Sequence, residues 1–234
     1  MKDKNVSSQY LSFYPYYARH GQDKFLNENI FKNKKNGIFV DIGAYDGIES
    51  SNTLFFEESL NWTGVCVEPL SDAFKKLQKN RNCIFLNKCV ADINGKSEFM
   101  HVNPDVCPPS TKEKNRTANY EKMSGLVKFY DENHIKLIDN IIDKYGGSKN
   151  TFIVECVDVN KVLELTNSLD IDLLSIDTEG SELCILKHID FFKFNIDVIV
   201  IEVLYDAEEI LKFMESQNYK KKEKIGYDWI FKKD

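Results

Sequence analysis

The chain has 234 residues, 42% of them apolar and 12% aromatic, and carries 31 Lys and Arg against 37 Asp and Glu for a formal charge of −6 at pH 7. This length supports a substantial core in one domain, and the apolar fraction excludes wholesale disorder. Arginine occurs only at Arg19, Arg81 and Arg116, and the notable lysine runs are at 220–222 and 232–233. A nucleic-acid reader needs clustered basic charge and is therefore not expected.

No apolar run reaches the roughly 18 residues that span a bilayer, so no membrane span is expected. The opening residues lead into polar sequence rather than an apolar segment, so a cytoplasmic chain without a secretory signal is the expectation. Reduced thiols follow from that compartment. The cysteines Cys66, Cys83, Cys89, Cys107, Cys156 and Cys184 form no C-x-x-C pair, so no zinc site is expected.

In chain order, residues 1–35 read as a polar, aromatic-rich leader packing on the core, with a short helix at 24–31. Ile38-Phe-Val-Asp41 predicts a short buried strand ending in an acid, followed by a glycine-containing turn and a helix at about 51–59. Val65-Cys-Val-Glu68 repeats the scheme, with Pro69 and a helix at 72–80 behind it. Ile84-Phe-Leu86 opens a third unit that passes through Cys89-Val-Ala-Asp92 to the turn Asn94-Gly95. Residues 101–122 break the rhythm with Pro104, Pro108 and Pro109 and read as a long loop, a candidate lid. One or two helices at 126–145, a strand at 152–157 and a helix at 160–166 come next. Ile171-Asp-Leu-Leu-Ser-Ile-Asp177 and Asp197-Val-Ile-Val-Ile-Glu202 are further buried strands, each followed by a helix, at 181–188 and 207–216. A last strand at 227–231, with 219–224 beside it, closes the chain. Continuous apolar strands alternating with helices predict one α/β domain over 1–234, a three-layer sandwich on a mostly parallel sheet with a C-terminal antiparallel hairpin.

In such sheets ligands bind beyond the carboxyl ends of the strands. Asp41, Glu68, Asp177 and Glu202 all end strands, and Asp92 follows another, which describes a negatively lined crevice. The first turn reads Asp41-Ile-Gly43-Ala-Tyr-Asp46-Gly47. A dinucleotide turn needs a second glycine so that its backbone can approach a pyrophosphate. Tyr45 and Asp46 supply bulk and negative charge there instead, which disfavours a nicotinamide-dependent oxidoreductase. S-adenosylmethionine suits this turn, having no phosphate and a cationic sulfonium. Glu68 is then placed to accept from both ribose hydroxyls, and Asp92 from the adenine amino group.

The blocks Gly21-Gln-Asp-Lys-Phe-Leu26, Gly37-Ile-Phe-Val-Asp-Ile-Gly-Ala-Tyr-Asp-Gly47, Ser51-Asn-Thr53, Phe56-Glu-Glu58, Trp62-Thr-Gly-Val-Cys-Val-Glu-Pro69, Asn80-Arg81, Met123-Ser-Gly-Leu126 and 171–182 run in one order along the chain. In these blocks the sequence resembles the FkbM-type family of S-adenosylmethionine-dependent methyltransferases. The resemblance implies a class I methyltransferase (Rossmann-like) fold with seven strands ordered 3-2-1-4-5-7-6. It implies O-methylation of a hydroxyl on a sugar or another small-molecule or glycan acceptor. Asn52, Pro69 and Ser124 join Asp41, Gly43, Asp46, Glu68 and Asp92 as residues expected at the cofactor. Asp177 is the first candidate for the base or acceptor-binding group and Glu179 the second, because a hydroxyl nucleophile must shed its proton. Glu182 is expected to serve a helix start. Glu202 could join Asp177 around a divalent ion, but the resemblance does not call for one and no metal ligand is assigned. His20, in the polar leader, reads as a plain surface histidine, and His101, His134 and His188 are weaker candidates still for a catalytic base. The alternative function is a non-catalytic interaction protein on the same fold, and the oligomeric state is not readable from the chain.

Overall fold

The computed structural model describes residues 15–103 and 120–234. After α1 (Gln22–Phe25) and a π-helical turn (Leu26–Phe31) come β1 (Ile38–Ile42), α2 (Leu54–Leu60), β2 (Thr63–Val67), α3 (Ser71–Asn80) and β3 (Ile84–Leu86). The middle of the chain forms β4 (Cys89–Ala91), β5 (Gly95–Asn103), β6 (Gly125–Leu126), α4 (Glu132–Tyr145), β7 (Ser148–Asp158) and α5 (Val159–Glu164). The last third forms β8 (Asp170–Ile176), α6 (Glu182–His188), β9 (Asn195–Glu202), α7 (Ala207–Ser216), β10 (Tyr219–Ile225) and β11 (Asp228–Lys233).

Seven strands make the main sheet in the order β10-β11-β9-β8-β1-β2-β3. Counted among themselves they run 3-2-1-4-5-7-6, the order implied by the resemblance. The pairs β1–β2, β1–β8, β2–β3 and β8–β9 are parallel, whereas β10–β11 and β11–β9 are antiparallel. Successive strand residues point to opposite faces. Val40, Ile42, Leu174 and Ile199 accordingly fill one core cluster, while Phe39, Leu173, Val198 and Val200 fill the other. Both faces are covered by core residues, which is why these strands read as mainly apolar runs.

The described part of the leader makes aromatic contacts with the core. Phe31 meets Phe56 and Trp62 edge-on at 5.4 and 4.9 Å, and Tyr16 lies 4.6 Å from Phe55. Buried Asp23 accepts from the backbone of Tyr17 and Ala18, and Gln22 Nε2 donates to Asp228 Oδ2 at 2.6 Å. The last of these bonds ties the leader to the first residue of β11. The rest of the leader's aromatic run, Tyr10, Phe13 and Tyr14, lies outside the described residues, as does Cys107.

A second sheet, β4-β7-β5-β6, was not expected. β5 and β7 pair antiparallel from Gly95↔Cys156 to Asn103↔Ser148. The expected strand at 152–157 is therefore the end of a longer strand outside the main sheet. Its Ile153 is 58% exposed, so one face is wet, and no local pattern says which partner a half-wet strand takes. The long loop also starts later than expected, because β5 continues to Asn103. Residues 104–119 lie outside the described residues, and Tyr120–Met123 forms a 3-10 turn. Among the described residues, no helix is long and apolar enough to cross a membrane.

Candidate active site

A cleft of about 860 Å³ opens beyond the carboxyl ends of β1, β2 and β8. Its walls contribute the acids Asp41, Glu49, Glu68, Glu121, Asp177 and Glu179 against the cations Lys88 and Lys122. The cleft therefore has a negative interior.

The turn after β1 shapes its floor. Gly43 (φ +88°) and Ala44 donate backbone bonds to the Val67 carbonyl, locking the turn to β2. A Cβ on Gly43 would stand 1.8 Å from the Asp177 carbonyl oxygen, so only glycine lets β1 and β8 approach here. Tyr45, also at positive φ, donates its amide to Glu68 Oε2 at 2.9 Å. Glu68 Oε1 accepts from the Leu70 amide at 2.7 Å. Burial pushes the Glu68 carboxyl up to about 7, and the two amides pull against that rise. Each oxygen has one fixed donor and remaining lone pairs toward the cleft.

Asp41 lines the cleft but is largely consumed inside the protein. Its Oδ2 accepts from Thr53 Oγ1 at 2.6 Å, and Arg81 donates to the same Thr53 oxygen at 3.0 Å and to Glu57 Oε2 at 2.9 Å. Burial raises the Asp41 carboxyl, while the Arg81 charge and the Thr53 hydroxyl lower it. Asn52 donates to Ser175 Oγ at 3.2 Å on the cleft wall, and Pro69 and Ser124 line it too. Ser124 accepts from the Val102 amide at 2.9 Å, which pins the segment after the long loop to β5.

Two residues expected at the cofactor stand elsewhere. Asp46 Oδ1 accepts from the amides of Ile48 and Glu49 at 2.9 and 2.8 Å, and the residue does not line the cleft. The turn needs that cap, and a short Asp side chain supplies it locally. Asp92 pairs with Lys128, which holds its carboxyl below the usual range, and it too lies outside the cleft lining. The cause is the second sheet: β4 leaves the main sheet, and the acid behind it follows.

At the opposite end the segment 177–182 makes a tight turn, with Glu179 at φ +59° and Gly180 at φ +117°. Glu182 stabilises it by accepting from the amides of Thr178 and Gly180 at 2.8 and 2.9 Å, so it serves the turn that starts α6. Asp177 opens to the cleft yet is crowded enough that removal from bulk water pushes its carboxyl up. Burial and the neighbouring acids push Glu179 and Glu202 well above the carboxylate range. Carboxylate oxygens of Asp177, Glu179 and Glu202 all lie within 4.8 Å of one another.

His134, a weak candidate for a base from sequence alone, is 5% exposed. It occupies the core-facing stripe of α4 with Ile138 and Ile141, stacks on Tyr130 with ring centres 4.5 Å apart, and contacts the Tyr205 hydroxyl through Nδ1. Its Nε2 reaches to 3.9 Å from Glu179 Oε2. A histidine at i in an i, i+4, i+7 apolar stripe was the signal available in the sequence. Glu121, Lys122 and Tyr205, which surround this end, carry no local signature. Neither Gln22 nor His20 lines the cleft.

A family model for the methyltransferase FkbM domain matches residues 41–221. No curated protein matches the sequence. Among solved structures, a methyltransferase from Pyrococcus furiosus is similar with 13% identity and a TM-score of 0.37, over 90% of this chain and 80% of that one. A precorrin-6y C5,15-methyltransferase from Geobacter metallireducens GS-15 is similar with 10% identity and a TM-score of 0.39, over 90% and 84%.

Proposed function

The chain belongs to the FkbM methyltransferase family, and from that premise we propose that its cleft binds S-adenosylmethionine and that the chain methylates a hydroxyl of a sugar or other small-molecule or glycan acceptor. The observation that carries this reading is the acidic lining of the cleft, six Asp and Glu side chains against two lysines around a first turn blocked by Tyr45. A pyrophosphate is repelled by such walls, and a sulfonium is attracted. Glu68 supports the ribose assignment, since its oxygens are held by two amides and keep lone pairs for hydroxyl donors. Asp41, Gly43, Asn52, Pro69 and Ser124 complete the proposed cofactor wall.

When bound, S-adenosylmethionine would supply an electrophilic methyl group for in-line transfer to the acceptor oxygen, with the neutral thioether S-adenosylhomocysteine as the leaving group. The protein's first contribution is alignment, a proximity effect worth several kcal/mol. Its second is at the acceptor proton. Asp177 faces the cleft from the end of β8, where it accepts a hydrogen bond from the hydroxyl and takes the proton as the oxygen attacks. Glu179, next on the same tight turn, is the second group that can orient the acceptor. The carboxylates also favour a cationic cofactor over its neutral product, which aids exchange without lowering the barrier.

The test is transfer of a labelled methyl group from S-adenosylmethionine to a panel of nucleotide sugars and glycans, with products read by mass. A mass gain of one methyl on a hydroxyl supports the reading. Transfer only to nitrogen or carbon acceptors overturns its O-methyl part.

A further inference from the structure

Among the described residues, two buried side-chain polar atoms lack a hydrogen-bond partner, Glu202 Oε2 and His134 Nε2. Buried polar atoms are nearly always satisfied, and an exception marks a place where a water or an ion belongs. Both orphans flank one spot. Glu202 belongs to the carboxylate group with Asp177 and Glu179, and His134 Nε2 points at Glu179 Oε2 from 3.9 Å. The residues come from three separate elements: the turn after β8, the end of β9 and the buried stripe of α4.

We propose that Asp177, Glu179, Glu202 and His134 form a binding site for one divalent first-row cation of the Mn²⁺ type. Two ligands each about 2.2 Å from an ion lie about 3.1 Å apart when cis and about 4.4 Å apart when trans. The 3.9 Å gap from His134 to Glu179 falls inside that span, and the carboxylate set, within 4.8 Å, needs only small side-chain rotations. Hard carboxylate oxygens suit Mg²⁺, Ca²⁺ and Mn²⁺, and an imidazole nitrogen shifts the preference toward a transition ion. His134 is prepared for the role, because Tyr130 and the Tyr205 hydroxyl fix its ring as outer partners fix metal-binding histidines. Arg19 and Lys122 offset part of the negative charge at Asp177 without cancelling the set.

A cation here borders the cleft through Asp177 and Glu179. There it binds the acceptor hydroxyl and favours loss of its proton, a role that rests on the methyl-transfer reading above. Cation binding itself does not, so the two fail separately. The experiment titrates the full chain with Mn²⁺ alone, without cofactor or acceptor, and follows the free Mn²⁺ signal by electron paramagnetic resonance. One Mn²⁺ per chain is expected, weakened about tenfold or more in Glu202→Gln, while Asp92→Asn, at a half-exposed acid outside the cleft lining, binds as the unaltered chain does. Pulsed measurements on the unaltered protein are expected to show a nitrogen directly coupled to Mn²⁺, a readout that needs no variant to fold. Absence of binding at millimolar Mn²⁺, equal binding by a folded Glu202→Gln chain, or a missing nitrogen coupling overturns the site. Failure of S-adenosylmethionine to bind in a separate titration would sink the transferase reading and leave this one standing.

Discussion

Two sets of carboxylates face the same cleft, and they differ in what already holds them. At the β2 end, Glu68 receives one backbone amide on each oxygen. At the β8–β9 end, Asp177, Glu179 and Glu202 crowd together, and one Glu202 oxygen has no partner at all. A preorganised acceptor is suited to reading a fixed pair of hydroxyls. A crowded, under-satisfied group is suited to taking a proton or a cation. On that difference rests our proposal of cofactor recognition at one end of the cleft and acceptor chemistry at the other.

The largest effect is expected at the crowded end. Asp177→Asn should cut methyl transfer by about 10²–10⁴-fold, the usual weight of a positioned acid or base. Its affinity for S-adenosylmethionine, read by calorimetry, should stay within about threefold, since an aspartate-sized amide keeps the wall intact. A matching loss of affinity would erase the division between the two ends. Glu68→Ala should do the reverse, weakening cofactor binding by about 1–3 kcal/mol, the cost of losing hydrogen bonds to a charged group. Unchanged affinity would remove the ribose assignment.

A third expectation concerns pH. Burial raises the Glu68 carboxyl to about 7, above its unfolded value of 4.5. Between those values the folded chain keeps a proton that the unfolded chain has lost, so this residue makes stability fall as pH rises. Ribose hydroxyls donate to the ionised form, so cofactor affinity should rise as pH passes through about 7. Thermal melts and titrations from pH 5.5 to about 8 read both slopes; Glu68→Gln should flatten the affinity slope and make the stability slope shallower, the rest of it coming from other buried acids such as Asp228, whose carboxyl is also raised to about 7. The smallest effect is expected at Asp92→Asn, which removes only a half-exposed pair with Lys128 and should shift cofactor affinity less than twofold. A larger loss would return Asp92 to the adenine site.

The main sheet was legible because strands buried on both faces are mostly apolar, as Ile38–Ile42 and Asp170–Ile176 are apart from Asp41, Asp170, Asp172 and Ser175. Glu68 and Asp177 were legible for the same reason, each being an acid at the end of such a run. The second sheet was not, because β5 and β7 are half wet and their pairing is a long-range choice. That one omission displaced Asp92. Asp46 was misplaced by a smaller omission, since a turn that caps itself uses its acid locally. His134 became meaningful only when α4 packed it beside Glu179, a contact between segments with no pattern in common.

The central claim is that this negative cleft is built for a sulfonium-bearing nucleoside. Calorimetric titration of the chain with S-adenosylmethionine, and with NAD in parallel, tests it most directly. Saturable binding of S-adenosylmethionine near one equivalent, with no heat from NAD, is the predicted result. Binding of NAD, or silence toward S-adenosylmethionine in a folded chain, would contradict it.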